Sequence, residues 1–142
     1  MSVDILYTAN ATVTGEGRAG SGKTDDGRLS VDLSVPKGLG GDDGQGTNPE
    51  QLFAVGYAAC FHGALKKVAR EAKTKIDGST IDSKVSLGKA EDGLTLVVDL
   101  AVTIAGQDQA KAEELVEAAH QVCPYSRATR GNIEVNLSVK TA

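Results

Sequence analysis

Residues 47–73 read TNPEQLFAVGYAACFHGALKKVAREAK, and the architecture of the chain turns on this stretch. Thr47-Asn48-Pro49-Glu50 is a helix start: a capping residue, a proline at the first helical position, and a carboxylate near the positive end of the helix dipole. The pattern predicts a helix running to about Lys73. Its middle (Phe53, Val55, Ala58, Ala59, Cys60, Phe61, Ala64) is apolar on nearly every face. A helix of that kind is buried on all sides or packed against a second copy of itself. Gly56, Ala58 and Ala59 permit a close crossing, which points to a dimer.

Upstream, Val3, Ile5, Tyr7, Ala9, Ala11 and Val13 alternate with mostly polar neighbours, the period of a half-buried strand. The alternation returns in Leu29, Val31, Leu33 and Val35 and stops at Pro36. Residues 37–47 are glycine-rich and polar and read as a mobile loop. Downstream, Ile81, Ser83, Val85 and Leu87 face Leu94, Leu96, Val98, Leu100, Val102 and Ile104 across a turn ending in Asp92-Gly93, a hairpin. A second helix is expected over about Gln107 to Val122, with Ala112, Leu115, Val116 and Ala119 at helical spacing. Pro124 follows it, and Ile133, Val135, Leu137 and Val139 form a last strand. Strands, helix, hairpin, helix and strand with mostly adjacent pairing make an α+β fold, not a doubly wound sheet.

The chain is 142 residues long and 40% apolar, enough for one domain over 1–142 with a real core. Its 15 basic and 19 acidic residues leave a net charge of −4, which argues against nucleic acid or an anionic membrane as partner. The longest nearly apolar run, Leu52 to Phe61, falls far short of the roughly 20 residues that cross a bilayer. No signal peptide is visible and two cysteines are too few for a secreted disulfide scaffold, so a soluble cytoplasmic protein is expected.

Three patterns carry chemistry. Gly17-Arg18-Ala19-Gly20-Ser21-Gly22-Lys23-Thr24 matches a nucleotide phosphate loop, and residues 15–20 match the dinucleotide fingerprint. Both motifs need a helix immediately after the loop to hold the phosphate, and here Asp25-Asp26-Gly27 turns straight into an alternating strand. A glycine-rich hairpin loop is the preferred reading, with a nucleotide site using Lys23 and Thr24 as its rival; Asp99 would be the magnesium-holding acid in that rival. Cys60 lies mid-helix and Cys123 at the end of the second helix; spacing alone leaves open two small core side chains or a redox pair. A zinc site from Cys60, His62, His120 and Cys123 fails on geometry, because Cys60 and His62 stand about 200° apart around a helix. No metal is therefore expected, and the two histidines read as interfacial or core-edge residues. Alone, Arg18 is a solvated loop charge and Glu50 a helix-start carboxylate. Beside a buried thiol, an arginine stabilises a thiolate and a carboxylate holds the guanidinium in place.

Gly46-Thr47-Asn48-Pro49-Glu50-Gln51-Leu52-Phe53 and Gly56-Tyr57-Ala58-Ala59-Cys60-Phe61 resemble a signature of the organic hydroperoxide resistance branch of the Ohr/OsmC family. His120-Gln121-Val122-Cys123-Pro124-Tyr125-Ser126, followed by Ala128-Thr129-Arg130-Gly131-Asn132, is similar to the second signature of that branch. The opening Tyr7-Thr8-Ala9 through Gly17-Arg18 fits as well. Arg127, where a smaller polar residue is expected, and the acids Asp42 and Asp43 depart mildly from the pattern.

The resemblance implies an OsmC/Ohr-like fold, with antiparallel sheets wrapped around two central helices in an intertwined homodimer and active sites at the interface. It implies a thiol peroxidase with no bound cofactor, in which Cys60 is the peroxidatic cysteine, Cys123 the resolving one, and Arg18 with Glu50 the activating pair. The substrate would be an alkyl or fatty-acid hydroperoxide, held by apolar walls for which Phe53, Phe61, Tyr125 and Leu39 are candidates. An external dithiol would restore the thiols, and the family points to a lipoyl group on a partner protein. Spacing adds that Glu50 and Cys60 stand about 15 Å apart along one helix, so an antiparallel crossing near Val55 and Gly56 brings Glu50 of one chain to Cys60 of the other. A non-catalytic binding protein of the same fold, with the thiols as core filler, is a second rival, and a milder alternative keeps the peroxidase chemistry in a redox-sensing role.

Overall fold

The computed structural model describes residues 2–142, which divide into two compact units, one ending at Pro49 and one running from Glu50 to Ala142. In the first unit, β1 (Ala11–Thr14), β2 (Ser21–Thr24) and β3 (Ser30–Asp32) form an antiparallel three-stranded sheet in sequence order. The glycine-rich stretch is the β1–β2 connection, with a 3₁₀ turn at Gly17–Ala19. It closes so tightly that a Cβ at Gly20 would run into the Thr14 carbonyl oxygen, which explains a glycine there. Lys23 and Thr24 lie inside β2, opposite Thr12 and Ala11, and no helix follows the loop. The phosphate-loop match is thus a hairpin connection, and Asp99 accepts a hydrogen bond from Asn136 Nδ2 at 2.9 Å.

Two expectations for this unit need correction. The strand read over residues 3–13 is paired only from Ala11, and Val3, Ile5, Leu6 and Tyr7 stand exposed. Alternation marks the face a strand is able to bury, whereas a strand exists only where a neighbour accepts its hydrogen bonds. The loop over residues 37–47, read as mobile, is fastened to the strand before it. Thr47 N–H donates to Asp32 O, Ser34 N–H to Thr47 O, Asp43 N–H to Val35 O and Gly46 N–H to Ser34 Oγ, all at 2.9–3.0 Å.

In the second unit, α1 (Pro49–Glu71) precedes the long hairpin of β4 (Gly78–Ala90) and β5 (Gly93–Ala105). The hairpin register is the expected one, with Leu87 opposite Leu96, Val85 opposite Val98 and Ile81 opposite Val102. Helix α1 stops two residues short of Lys73, which adopts a left-handed conformation at φ 53°. Then come α2 (Gln109–Val122), α3 (Pro124–Thr129) and β6 (Glu134–Thr141). β6 pairs with β5 in parallel, so this sheet is mixed where antiparallel sheets were expected. The physical reason is the crossover: α2 and α3 return the chain to the starting end of β5 before β6 begins, as parallel neighbours require. The short helix α3 was not foreseen, because Pro124 reads equally as the stop of one helix and the first residue of the next.

The core is the space between α1, α2 and one face of this sheet. Tyr57, Phe61, Leu65 and Ala69 of α1 meet Val98, Leu100, Val102 and Ile104 of β5 and Ala112, Leu115, Val116 and Ala119 of α2. Within the second unit this is the buried face of α1, whereas Val55, on another, is 72% exposed. Helix α1, apolar on nearly every face in sequence, buries one of them in this core.

Helix α2 begins where Asp108 caps it, with the carboxylate accepting from Lys111 N–H at 2.8 Å. Asp108→Ala is expected to cost about 1 kcal/mol of stability, and Asp108→Asn much less, since asparagine caps nearly as well. Urea unfolding of the three proteins checks this.

Candidate functional site

Cys123 is the only residue between α2 and α3, and it serves both. Its N–H closes α2 on Ala119 O at 2.9 Å, while its Sγ accepts from the Ser126 N–H at 3.5 Å as the cap of α3. Pro124 follows at the first position of α3, where its preset φ suits a helix and no N–H is lost. The elbow therefore holds the Cys123 side chain to one direction, wholly buried. That direction leads to α1: Cys123 Sγ lies 3.6 Å from Cys60 Sγ, and both are free thiols. A disulfide needs a sulfur separation of about 2.05 Å, so closure asks for an approach of about 1.5 Å, within the reach of side-chain rotation.

Cys60 is half-buried, and that burial is the main force pushing its thiol pKa up from the usual 9.0. A backbone hydrogen bond from Tyr125 works in the other direction, and the neighbouring Cys123 thiol adds to the rise. A thiolate at Cys60 thus requires a positive charge to offset desolvation.

Two turns and one turn before Cys60 on α1, the rings of Phe53 and Tyr57 form a cluster with Tyr125 of α3, with centroids 5.7–5.8 Å apart in all three pairs. Gly56 makes room for it: a Cβ there would sit 3.2 Å from Tyr125 Oη, tighter than a relaxed contact. Tyr125 keeps 38% of its surface exposed. Phe61, also named as a substrate wall, has no exposed surface and packs in the core, with its ring 6.5 Å from that of His120.

Behind the sulfurs runs a polar network. Tyr57 Oη lies 2.8 Å from Ser126 Oγ and 3.0 Å from Thr129 Oγ1, and His120 Nδ1 lies 2.8 Å from Ser126 Oγ. The Arg130 guanidinium donates to the His120 carbonyl. Burial depresses the His120 pKa below the usual 6.5, with the Arg130 charge adding to the fall and Glu117 opposing it. His62 bonds Ser79 Oγ through Nε2 at 2.7 Å and is likewise depressed, by burial and then by Lys66. Each histidine thus uses one ring nitrogen on a serine. Among the described residues no group of three or more His, Cys, Asp or Glu side chains is placed to hold a metal ion.

Of the candidate site residues, Cys60 and Cys123 come together, and Phe53 stacks on Tyr125, whose backbone reaches Cys60. Glu50 stands in the first turn of α1. Arg18 lies in the 3₁₀ turn Gly17–Ala19 and Leu39 in the 3₁₀ turn Lys37–Leu39, both in the first unit. Tyr57, Ser126 and Thr129 were missed as a group. All three fall within the two family signatures, but no local pattern joins them, since the hydroxyl network is defined by partners about seventy residues apart.

A family model described as "OsmC-like protein" matches residues 40–138. The organic hydroperoxide resistance protein of Xanthomonas axonopodis pv. citri is 54% identical over 136 residues, covering 95% of each chain. OhrB of Bacillus subtilis, an organic hydroperoxide resistance protein, is 52% identical over 138 residues, covering 95% of this chain and 98% of its own. The crystal structure of an organic hydroperoxide resistance protein from Legionella pneumophila superposes with a TM-score of 0.91 at 49% identity, covering 96% of this chain and 99% of its own.

Because folded His120 and His62 bind protons more weakly than they do in the unfolded chain, acid favours unfolding. Stability is expected to fall as pH drops below about 6.5, the unfolded histidine value, and to level off once both histidines are charged in the folded state. Urea midpoints between pH 7.5 and 5 check this. His62→Gln with His120→Asn should flatten that dependence.

Proposed function

The chain belongs to the OsmC-like protein family, among its organic hydroperoxide resistance proteins, and we propose that it is a thiol peroxidase reducing organic hydroperoxides to alcohols. The observation that carries this reading is the sulfur pair, one half-exposed and one wholly buried, 3.6 Å apart without a bond. The accessible sulfur meets the oxidant; the buried one is held in reserve for its product.

In this reading the Cys60 thiolate attacks the outer oxygen of the peroxide. A sulfur–oxygen bond forms, the oxygen–oxygen bond breaks, and the alkoxide leaves and takes a proton to become the alcohol. Cys60 is left as sulfenic acid, which condenses with the Cys123 thiol to a disulfide and water. An external dithiol, on family resemblance a lipoyl group of a partner protein, reduces that disulfide by exchange. No bound cofactor is needed, because sulfur supplies both electrons. Detoxification in oxidative stress, in the cytoplasm, is the proposed role.

Arg18 is the proposed source of the positive charge that offsets the desolvation of Cys60, and Glu50 holds its guanidinium in place. The protein would work as a homodimer, an arrangement supported by the exposed Val55 of α1 and the exposed Val3, Ile5, Leu6 and Tyr7. Arg18 and Glu50 of one chain would then complete the site of the other. Phe53 and Tyr125, with Leu39 as a further candidate, favour an alkyl or fatty-acid hydroperoxide over hydrogen peroxide.

The intact mass of the reduced protein after one equivalent of cumene hydroperoxide tests the central claim. The wild type should lose two hydrogens and Cys123→Ser should gain one oxygen; an unchanged mass in both would mean inert thiols. Arg18→Ala should raise the Cys60 pKa and slow the peroxide step at pH 7 by about tenfold or more, read by stopped flow. Mixed dimers of Cys60→Ser and Glu50→Ala chains should recover one working site per dimer, and no recovery would remove the shared-site arrangement.

A further inference from the structure

The chemistry proposed above leaves the polar network behind the sulfurs without a role. Tyr57 and Ser126 have no exposed surface and Thr129 has 5%, so every proton in the network has to be placed. Each hydroxyl owns a single proton. Thr129 Oγ1 donates its proton to the Ser126 carbonyl at 3.2 Å, so toward Tyr57 it only accepts. Tyr57 Oη therefore donates to Thr129 and accepts from Ser126 Oγ. The Ser126 proton is then spent, and Ser126 Oγ accepts from His120 Nδ1–H. Running the chain in the opposite sense forfeits the Thr129 bond. The direction thus fixes His120 with its proton on Nδ1.

Ser126 is the junction. Its Oγ is bonded to Tyr57, one turn ahead of Cys60 on α1, and to His120 on α2. Its backbone N–H is the donor to Cys123 Sγ. We propose that His120, Ser126 and Tyr57 are positioning residues for the resolving thiol, clamping the Cys123 elbow to α1 so that Cys123 meets the oxidised Cys60 without searching. The proposal rests on the thiol peroxidase reading for its benefit. In the step concerned, Cys123 sulfur attacks the sulfenic sulfur of Cys60. The sulfur–sulfur bond forms, the sulfur–oxygen bond breaks, and the hydroxyl leaves with the Cys123 proton as water. A loosened elbow lengthens the life of the sulfenic acid, and a second peroxide then converts it to sulfinic acid.

The test compares wild type, Tyr57→Phe and Ser126→Ala at a temperature where far-UV circular dichroism shows all three fully folded. Single-turnover reaction with cumene hydroperoxide, quenched with dimedone and weighed, separates attack from resolution. Attack should be unchanged, resolution about tenfold slower in each variant, and the double variant no slower than the single ones, because all lack the same bond. Excess peroxide should add two oxygens to the variants sooner than to the wild type. In a Cys123→Ser background Tyr57→Phe should change nothing. The ¹⁵N shifts of His120 should report the Nδ1–H form in the wild type and a tautomer mixture in Ser126→Ala.

Wild-type resolution rates in both variants, or the Nε2–H form of His120 in the wild type, would overturn the clamp. A wild type inert to peroxide would instead overturn the peroxidase reading. The clamp is then read from the dithiol–disulfide equilibrium of Cys60 and Cys123 against glutathione. A disulfide about tenfold less favoured in Tyr57→Phe supports it, and an unchanged ratio overturns it.

Discussion

The hydrogen bond between Tyr57 Oη and Ser126 Oγ, 2.8 Å long and sealed from water, is the interaction on which the arrangement of the second unit depends. It joins the long helix α1 to the elbow between α2 and α3, two segments far apart in sequence. Apolar packing alone brings these helices together, but packing is tolerant of small slides. A buried hydroxyl pair is not, because a shifted partner leaves a desolvated donor or acceptor with nothing to bond. The 3.6 Å separation of the two sulfurs is as well defined as that bond allows.

The same burial creates an electrostatic conflict. Covering Cys60 makes its thiol harder to ionise, and the neighbouring Cys123 adds to the difficulty. A reactive sulfur in such surroundings needs help, partly from the Tyr125 backbone and, in the function proposed, from the guanidinium of Arg18. Cys123, by contrast, is wholly buried. In the function proposed, one sulfur half-open and one closed is a division of labour.

Much of this was legible in the residues. Thr47 to Glu50 announced α1, and the alternation of Leu94 to Ile104 against Ile81 to Leu87 foretold both hairpin and register. The spacing of the two cysteines leaves core filler and redox pair equally open. The N-terminal strand was read too long, because alternation describes a face while pairing needs a neighbour. The last strand was found but its direction was not, since Ile133 to Val139 reads the same whichever way its neighbour runs. Helix α3 was hidden by Pro124, and Tyr57, Ser126 and Thr129 by the ordinariness of their residue types.

The sequence by itself determined most of the elements: period, caps and turns act over a few residues, so local sterics and hydrogen bonding suffice to write them. It also determined which residue types were available for sulfur chemistry, and its two long signatures placed them in a family. Only the tertiary structure decided that Cys60 and Cys123 touch, that β6 runs parallel to β5, and that His120 meets Ser126 through Nδ1. These depend on where distant segments meet, and a meeting place is chosen by the packing of the whole unit, which no local pattern records.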